Sequence, residues 1–197
     1  MTKRLPTRQR QRQIAEAALE LISREGVGGF TTSALSEKVE LAEGTIFRHF
    51  SSKQDIAVAA IDLLIERLEE SFPDERNGEP LERLGRFMRH RLQLVIAHRG
   101  VFRAFFSGQL AQAAGEEGVE KMERIKSESV EFLRQCLTEA TDENRLRTGV
   151  SAEFLLQLIQ GTVHAFLFGT PSPVDEETEP ADLASRTWSS LIELLRG

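Results

Sequence analysis

From Phe30 to Lys53 the chain runs FTTSALSEKVELAEGTIFRHFSSK. Thr31, Thr32 and Ser33 offer hydroxyls that cap a short helix reaching about Val39. Glu40-Leu41 then makes a brief turn, and a second short helix is expected over 42–50. Two short helices joined tightly are the outline of a helix-turn-helix. Its second helix has the dimensions of the DNA major groove, where the first turn and the exposed side reach base edges. Ile46 and Phe50 stand four apart and pack inward, which turns Thr45, Arg48 and His49 outward. Gly44 has no side chain to hold a phosphate away, and N–H groups at a helix start favour an anion. Lys53, just beyond, supplies a point charge for the DNA backbone.

The same periodicity extends in both directions. Ile14, Ala17, Ala18, Leu21 and Ile22 make an apolar stripe on a helix over 9–25, stopped by Gly26-Val27-Gly28-Gly29. Ser51 and Ser52 precede a long helix over 53–71. Helical spacing recurs over 81–98, 101–114, 119–140, 151–168 and 181–196, with Gly100, Gly115 and Gly118 read as breaks. The six prolines bracket these segments and interrupt none. No alternation of period two and no Asn-Gly or Asp-Gly hairpin signal is present. The expectation is an all-α chain of about nine helices.

Composition narrows the function. With 197 residues and 40% hydrophobic content, the chain is too apolar for a disordered protein and large enough for a real core. No apolar run approaches the ~20 residues that span a bilayer, and no secretory signal opens the sequence, so a soluble cytoplasmic protein is expected. A single cysteine, Cys136, excludes a disulfide framework; its place in an apolar stripe marks it as buried and inert. His90, His98 and His164 are scattered without partners at ligand spacing, so no metal site is expected. No nucleophile triad, phosphate loop or paired-carboxylate motif appears, which argues against an enzyme and against a cofactor. Charge is uneven. Residues 1–56 hold nine Lys and Arg against seven acids, whereas residues 57–197 hold sixteen against twenty-four. Lys3, Arg4, Arg8, Arg10 and Arg12 form a basic N-terminal arm, the expected footprint of a local nucleic-acid contact.

Phe30-Thr31-Thr32, Ala34-Leu35 and the run Gly44 to Lys53, with Ile14, Ala15, Ala17, Ala18, Leu21 and Gly26 upstream, resemble the DNA-binding domain of the TetR family of bacterial repressors. Three positions depart from that family's pattern. Glu40 occupies a turn position where glycine is common, Ala42 replaces a Ser or Thr cap, and Phe47 replaces a Tyr in a chain that has none. The resemblance implies a DNA-binding domain over 1–55 and an effector-binding and dimerisation domain over 56–197. It implies DNA contacts from Thr31, Thr32, Ser33, Glu43, Gly44, Thr45, Phe47, Arg48, His49 and Lys53. It also implies a ligand-released repressor that binds a near-palindromic operator in double-stranded DNA as a homodimer.

Within the second half, the resemblance places a small-molecule effector between helices rich in Phe and Met. Phe87, Phe102, Phe106, Phe132 and His164 are the expected lining residues. The wide apolar faces over 151–168 and 181–196 suit a four-helix pairing surface, with Phe154, Leu158, Trp188, Leu191 and Leu195 as candidates. Two alternatives stay open at this point. One is an activator, or a regulator controlled by a protein partner; the other is a helical enzyme or binding protein without DNA function.

Overall fold

The computed structural model describes residues 6–73, 78–146, 149–170 and 177–195. Among these, nine helices and no strand are present: α1 (Thr7–Gly29), α2 (Thr32–Val39), α3 (Glu43–Ile46), α4 (Lys53–Glu69), α5 (Pro80–Ala97), α6 (Arg99–Phe106), α7 (Gln109–Asp142), α8 (Ala152–Phe168) and α9 (Pro180–Leu195). The all-α expectation holds.

Local chemistry sets the helix starts. Thr31 Oγ1 accepts from the Ala34 N–H at 3.1 Å and caps α2. Ser52 Oγ accepts from the Asp55 N–H while Asp55 Oδ2 accepts from the Ser51 N–H, both at 3.1 Å, a reciprocal capping box for α4. Glu79 caps α5, with Pro80 following as its first residue, and Ser151 caps α8.

The residues fall into two compact units by contact: Met1–Arg67 with Gly100–Arg124, and Leu68–Arg99 with Ile125–Gly197. In the first, α1 packs on α2 and α2 on α3 over a core that includes Ile14, Ile22, Phe30, Leu35, Ile46 and Ile61. Gly26, at φ 72°, ends the regular part of α1 where the sequence reading stops it. The early turns of α7 join this unit through α4: Lys121 pairs with Asp62, and Gln54 donates to the Ala114 carbonyl at 3.2 Å. In the second unit α5 packs on α8 and α9. Its core includes Leu84, Phe87, Leu92, Cys136, Leu156, Ile159 and Trp188. Gly85 makes room for the indole, since a Cβ there would lie 2.8 Å from Trp188 Nε1.

Three expectations need correction. The helix expected over 42–50 closes at Ile46, and Arg48 and His49 continue it only by bonds to the carbonyls three residues back, at 3.2 and 2.9 Å. Gly100 is no break. It lies inside α6, where a Cβ would sit 1.9 Å from the Ser23 carbonyl oxygen, so the glycine records a close approach of two helices. The segment read as one helix over 101–114 is divided at Gly108, at φ 77°, and α7 begins at Gln109; Gly115, at φ 68°, is non-helical and kinks α7 where the sequence reading breaks the chain.

Candidate nucleic-acid interface and effector cavities

The turn between α2 and α3 is built on Glu40, held in the left-handed region at φ 54°, ψ 44°. Its N–H reaches the Glu37 carbonyl at 3.2 Å, and the Leu41 N–H reaches Ser36 at 3.0 Å, closing the end of α2 in a Schellman arrangement. A Cβ is disfavoured at such dihedrals, and Ala42, at the start of α3, makes no side-chain cap. Glu40→Gly is therefore expected to stabilise the chain by about 1 kcal/mol. Ala42→Ser is expected to add about 0.5–2 kcal/mol. Thermal melting of both variants checks this, and an unchanged midpoint in either removes the corresponding strain or cap.

Ile46 is fully buried and Phe50 nearly so, which anchors α3 and presents the opposite side outward. Glu43, Gly44, Phe47 and Arg48 are exposed, with Thr45 and His49 half-buried beside them. Thr31 and Ser33 are exposed and Thr32 is half-buried at the start of α2. Exposed Lys53 holds its Nζ 4.9 Å from the centre of the Phe30 ring. The side chain that would fill Gly44 meets nothing within 4 Å, so the fold itself does not require glycine there. Gln11 Nε2 donates to the His49 carbonyl at 2.9 Å and ties α1 to the turn after α3; no sequence pattern announced that contact.

The basic arm divides. Lys3 and Arg4 lie outside the described residues, and Arg8 is exposed on the first turn of α1. Arg10 is buried and donates to Gln13 Oε1 at 2.6 Å. Arg12 pairs with Glu16 and Glu66 at 3.2 and 3.0 Å, and the Glu66 contact raises its pKa above the ordinary value. Arg10 is thus engaged within α1, and Arg12 links α1 to Glu66 on α4 by an exposed ion pair.

In the second unit Phe87 and Phe132 meet, with ring centres 4.9 Å apart, and Phe72 joins both. Phe102 is buried in the first unit, and Phe106, in the same helix, is exposed. His164 is exposed on α8 and stacks on Phe168 at 4.6 Å. One cavity of about 620 Å³ is lined by Glu69, Phe72, Arg83, Glu128, Glu131 and Phe132, among others. Another, of about 720 Å³, is lined by Ile96, Arg99, Thr162, Phe166, Pro180 and Leu183, among others. Both have the size of ordinary small-molecule sites. Of the expected pairing residues, Phe154 and Leu158 are exposed. Trp188, Leu191 and Leu195 pack into the core of their own unit, so their apolar surface is already covered within the chain.

Cys136 is fully buried. Burial pushes its thiol pKa up, against the pull of Arg83 Nη2 at 3.4 Å. No group of three His, Cys, Asp or Glu among the described residues is placed to hold a metal ion. No helix among them is long and apolar enough to cross a membrane.

Residues 14–60 match the family model described as bacterial regulatory proteins, tetR family. The fatty acid metabolism regulator protein of Bacillus subtilis (strain 168) is 24% identical over 155 residues, covering 77% of this chain and 78% of that protein. The ketosteroid transcriptional regulator KstR2 of Mycobacterium tuberculosis superposes with a TM-score of 0.76 at 14% identity, over 95% of each chain. AibR, solved in complex with isovaleryl coenzyme A and operator DNA, gives 0.72 at 22% identity, over 93% of this chain and 98% of its own. The two structural likenesses speak for the fold.

Proposed function

We infer that this chain, which belongs to the TetR family of bacterial regulatory proteins, is a homodimeric repressor that a small effector releases from its operator. It is a DNA-binding regulator and not an enzyme, working in the cytoplasm. Residues 1–55 carry the DNA contacts, and residues 56–197 carry the effector site and the pairing face. The observation that carries the reading is the exposed edge of Gly44, Phe47 and Arg48 above the buried pair Ile46 and Phe50, set at the second helix of a helix-turn-helix. Each head enters the major groove of one half-site, and the two-fold axis of the dimer asks for a near-palindromic operator.

Pairing has a face to use. Along α8, Phe154, Leu158, Gly161, Ala165 and Phe168 are all exposed, spaced 4, 3, 4 and 3 apart. That is the seam spacing of helices packed side by side, and its partner is a second copy of the chain. As for the effector, the Bacillus subtilis relative is named for fatty acid metabolism and AibR is seen with an acyl thioester. A compound bearing an acyl chain suits the apolar walls of the cavities described above. Release follows if the effector binds the DNA-incompetent arrangement more tightly than the competent one.

Fluorescence anisotropy on DNA from upstream of its own gene, at two salt concentrations, tests the DNA claim. Saturable, sequence-dependent binding that weakens with salt is expected. Arg48→Ala should weaken it by about 1–3 kcal/mol, roughly five- to 150-fold, if Arg48 reads a base edge. Its sedimentation should match that of the parent chain. Unchanged affinity would remove Arg48 from the interface.

A further inference from the structure

Three arginines of the second unit, Arg83, Arg91 and Arg99, each bury an Nε that meets no acceptor. They differ in what holds the rest of the guanidinium. Arg83 is paired, with its Nη2 2.9 Å from Glu139 Oε2. Arg91 Nη2 donates to the Leu68 carbonyl at 3.2 Å and to Ser71 Oγ at 2.8 Å, and the residue lines neither cavity. Arg99 alone of the three both lines a cavity and pairs with no carboxylate among the described residues. Its side chain is half-buried, and its Nη2 donates to the Gly169 carbonyl at 2.9 Å, at the C-terminal end of α8. That acceptor is neutral, and a helix end supplies only about half a charge. A guanidinium keeps its charge and has more N–H groups than one carbonyl can take.

The cavity that Arg99 lines is the larger one, of about 720 Å³. Ile96 of α5, Phe166 of α8 and Leu183 of α9 give it apolar walls. Arg99 is the one cation among the described residues that line it. Glu177 and Glu179 line it as well, and both are exposed, so water screens them. A group bearing several phosphates needs several cations, and this wall has one. A single guanidinium beside apolar side chains suits a single carboxylate on an apolar body.

We propose that the cavity between α5, α8 and α9 is the effector site and that it holds a free monocarboxylate with an apolar body, its carboxylate on Arg99. The proposal rests on the ligand-released reading above and narrows it from acyl compounds in general to free acids. A carboxylate accepts two parallel N–H bonds from one guanidinium, where the Gly169 carbonyl now accepts one. Arg99 is the first residue of α6 and the last of its stretch of the second unit, since Gly100 belongs to the first. A ligand that draws on Arg99 therefore acts at the start of the helix that continues into the first unit.

The test is a titration of the full-length protein with octanoate, methyl octanoate and octanoyl coenzyme A, read by calorimetry without DNA. The ester keeps the chain and a carbonyl acceptor and removes the charge. Saturable octanoate binding is expected, with a Kd at least about tenfold below that of the ester and of the thioester. In Arg99→Met the preference for the acid over the ester should vanish, and in Arg99→Lys most of it should remain. Circular dichroism should show both variants folded; the lysine variant keeps the comparison usable if the methionine variant is not. Gln135→Trp crowds the smaller cavity, which Gln135 lines, and should bind octanoate as the parent chain does. Equal affinity for acid and ester in the parent chain overturns the proposal. So does tighter binding of the thioester, an undiminished preference in Arg99→Met, a tenfold loss in Gln135→Trp, or no saturable binding of any of the three. Anisotropy on operator DNA, run on the same samples, stands apart: its loss counts against the regulator reading, whereas the acid preference bears on this site alone.

Discussion

Gly100→Ala is expected to destabilise the first unit by about 2–3 kcal/mol, the usual upper range for forcing extra atoms into a packed interior. The new Cβ would lie 1.9 Å from the Ser23 carbonyl oxygen, 2.6 Å from its carbon and 2.8 Å from its Cα. All three are backbone atoms of α1, so no side-chain tip can swing aside. Relief requires α6 to withdraw from α1, which opens the packing of Val101, Phe102 and Phe105. Alanine is the better helix former by roughly 1 kcal/mol, and the expected loss is net of that gain. In thermal unfolding it should appear as a midpoint lower by about 5–10 °C, at roughly 2–4 °C per kcal/mol for a chain of this size. Gly28→Ala is the control, because a Cβ there meets nothing within 4 Å. Equal midpoints for the two variants would mean that α6 yields at little cost.

Leu158→Arg is expected to separate the dimer while leaving each chain folded. The side chain is already 38% exposed in a single chain, so a guanidinium there stays solvated in the monomer. In a paired seam the same charge would be desolvated and would face its own copy across the axis. Two heads acting as one gain avidity of about 10²–10⁴ over separate heads. Operator affinity should therefore fall by at least about 100-fold, although residue 158 is far along the chain from the DNA contacts. Sedimentation should show a monomer. Gln160→Arg adds the same charge on α8 off the seam and should remain dimeric. A dimeric Leu158→Arg would place the pairing face elsewhere.

The helix-turn-helix was legible because each of its devices is local. A capping hydroxyl at Thr31, a tight turn at Glu40 and an inward pair at Ile46 and Phe50 leave marks within twenty residues of one another. The strained turn was legible through the resemblance, since Glu40 stands where the family's pattern commonly has glycine, and the structure holds it at φ 54°. Gly100 was misread because a glycine that ends a helix and one that admits a neighbouring backbone look identical until the neighbour is placed. The length of α3 was overestimated for a related reason: apolar spacing reports which residues are buried, not how the backbone closes behind them. The second half was less legible. Periodicity found its helices, but Trp188 was read as an outward anchor and turned out to fill a space left by Gly85. Arg91 sits four residues after Phe87 on α5, and no sequence pattern announced its bonds to the Leu68 carbonyl and the Ser71 hydroxyl.

The head of this protein is not a contiguous cassette. Its compact unit takes in Gly100–Arg124, and the close approach at Ser23, the Lys121–Asp62 pair and the Gln54 bond at Ala114 all join that insert to the first 67 residues. Recombination with a joint near residue 67 would set a foreign α6 and a foreign start of α7 against a native α1 and α4. Exchange of DNA specificity between relatives is then easiest by drift of the few exposed residues on α3, and costly by shuffling of whole segments.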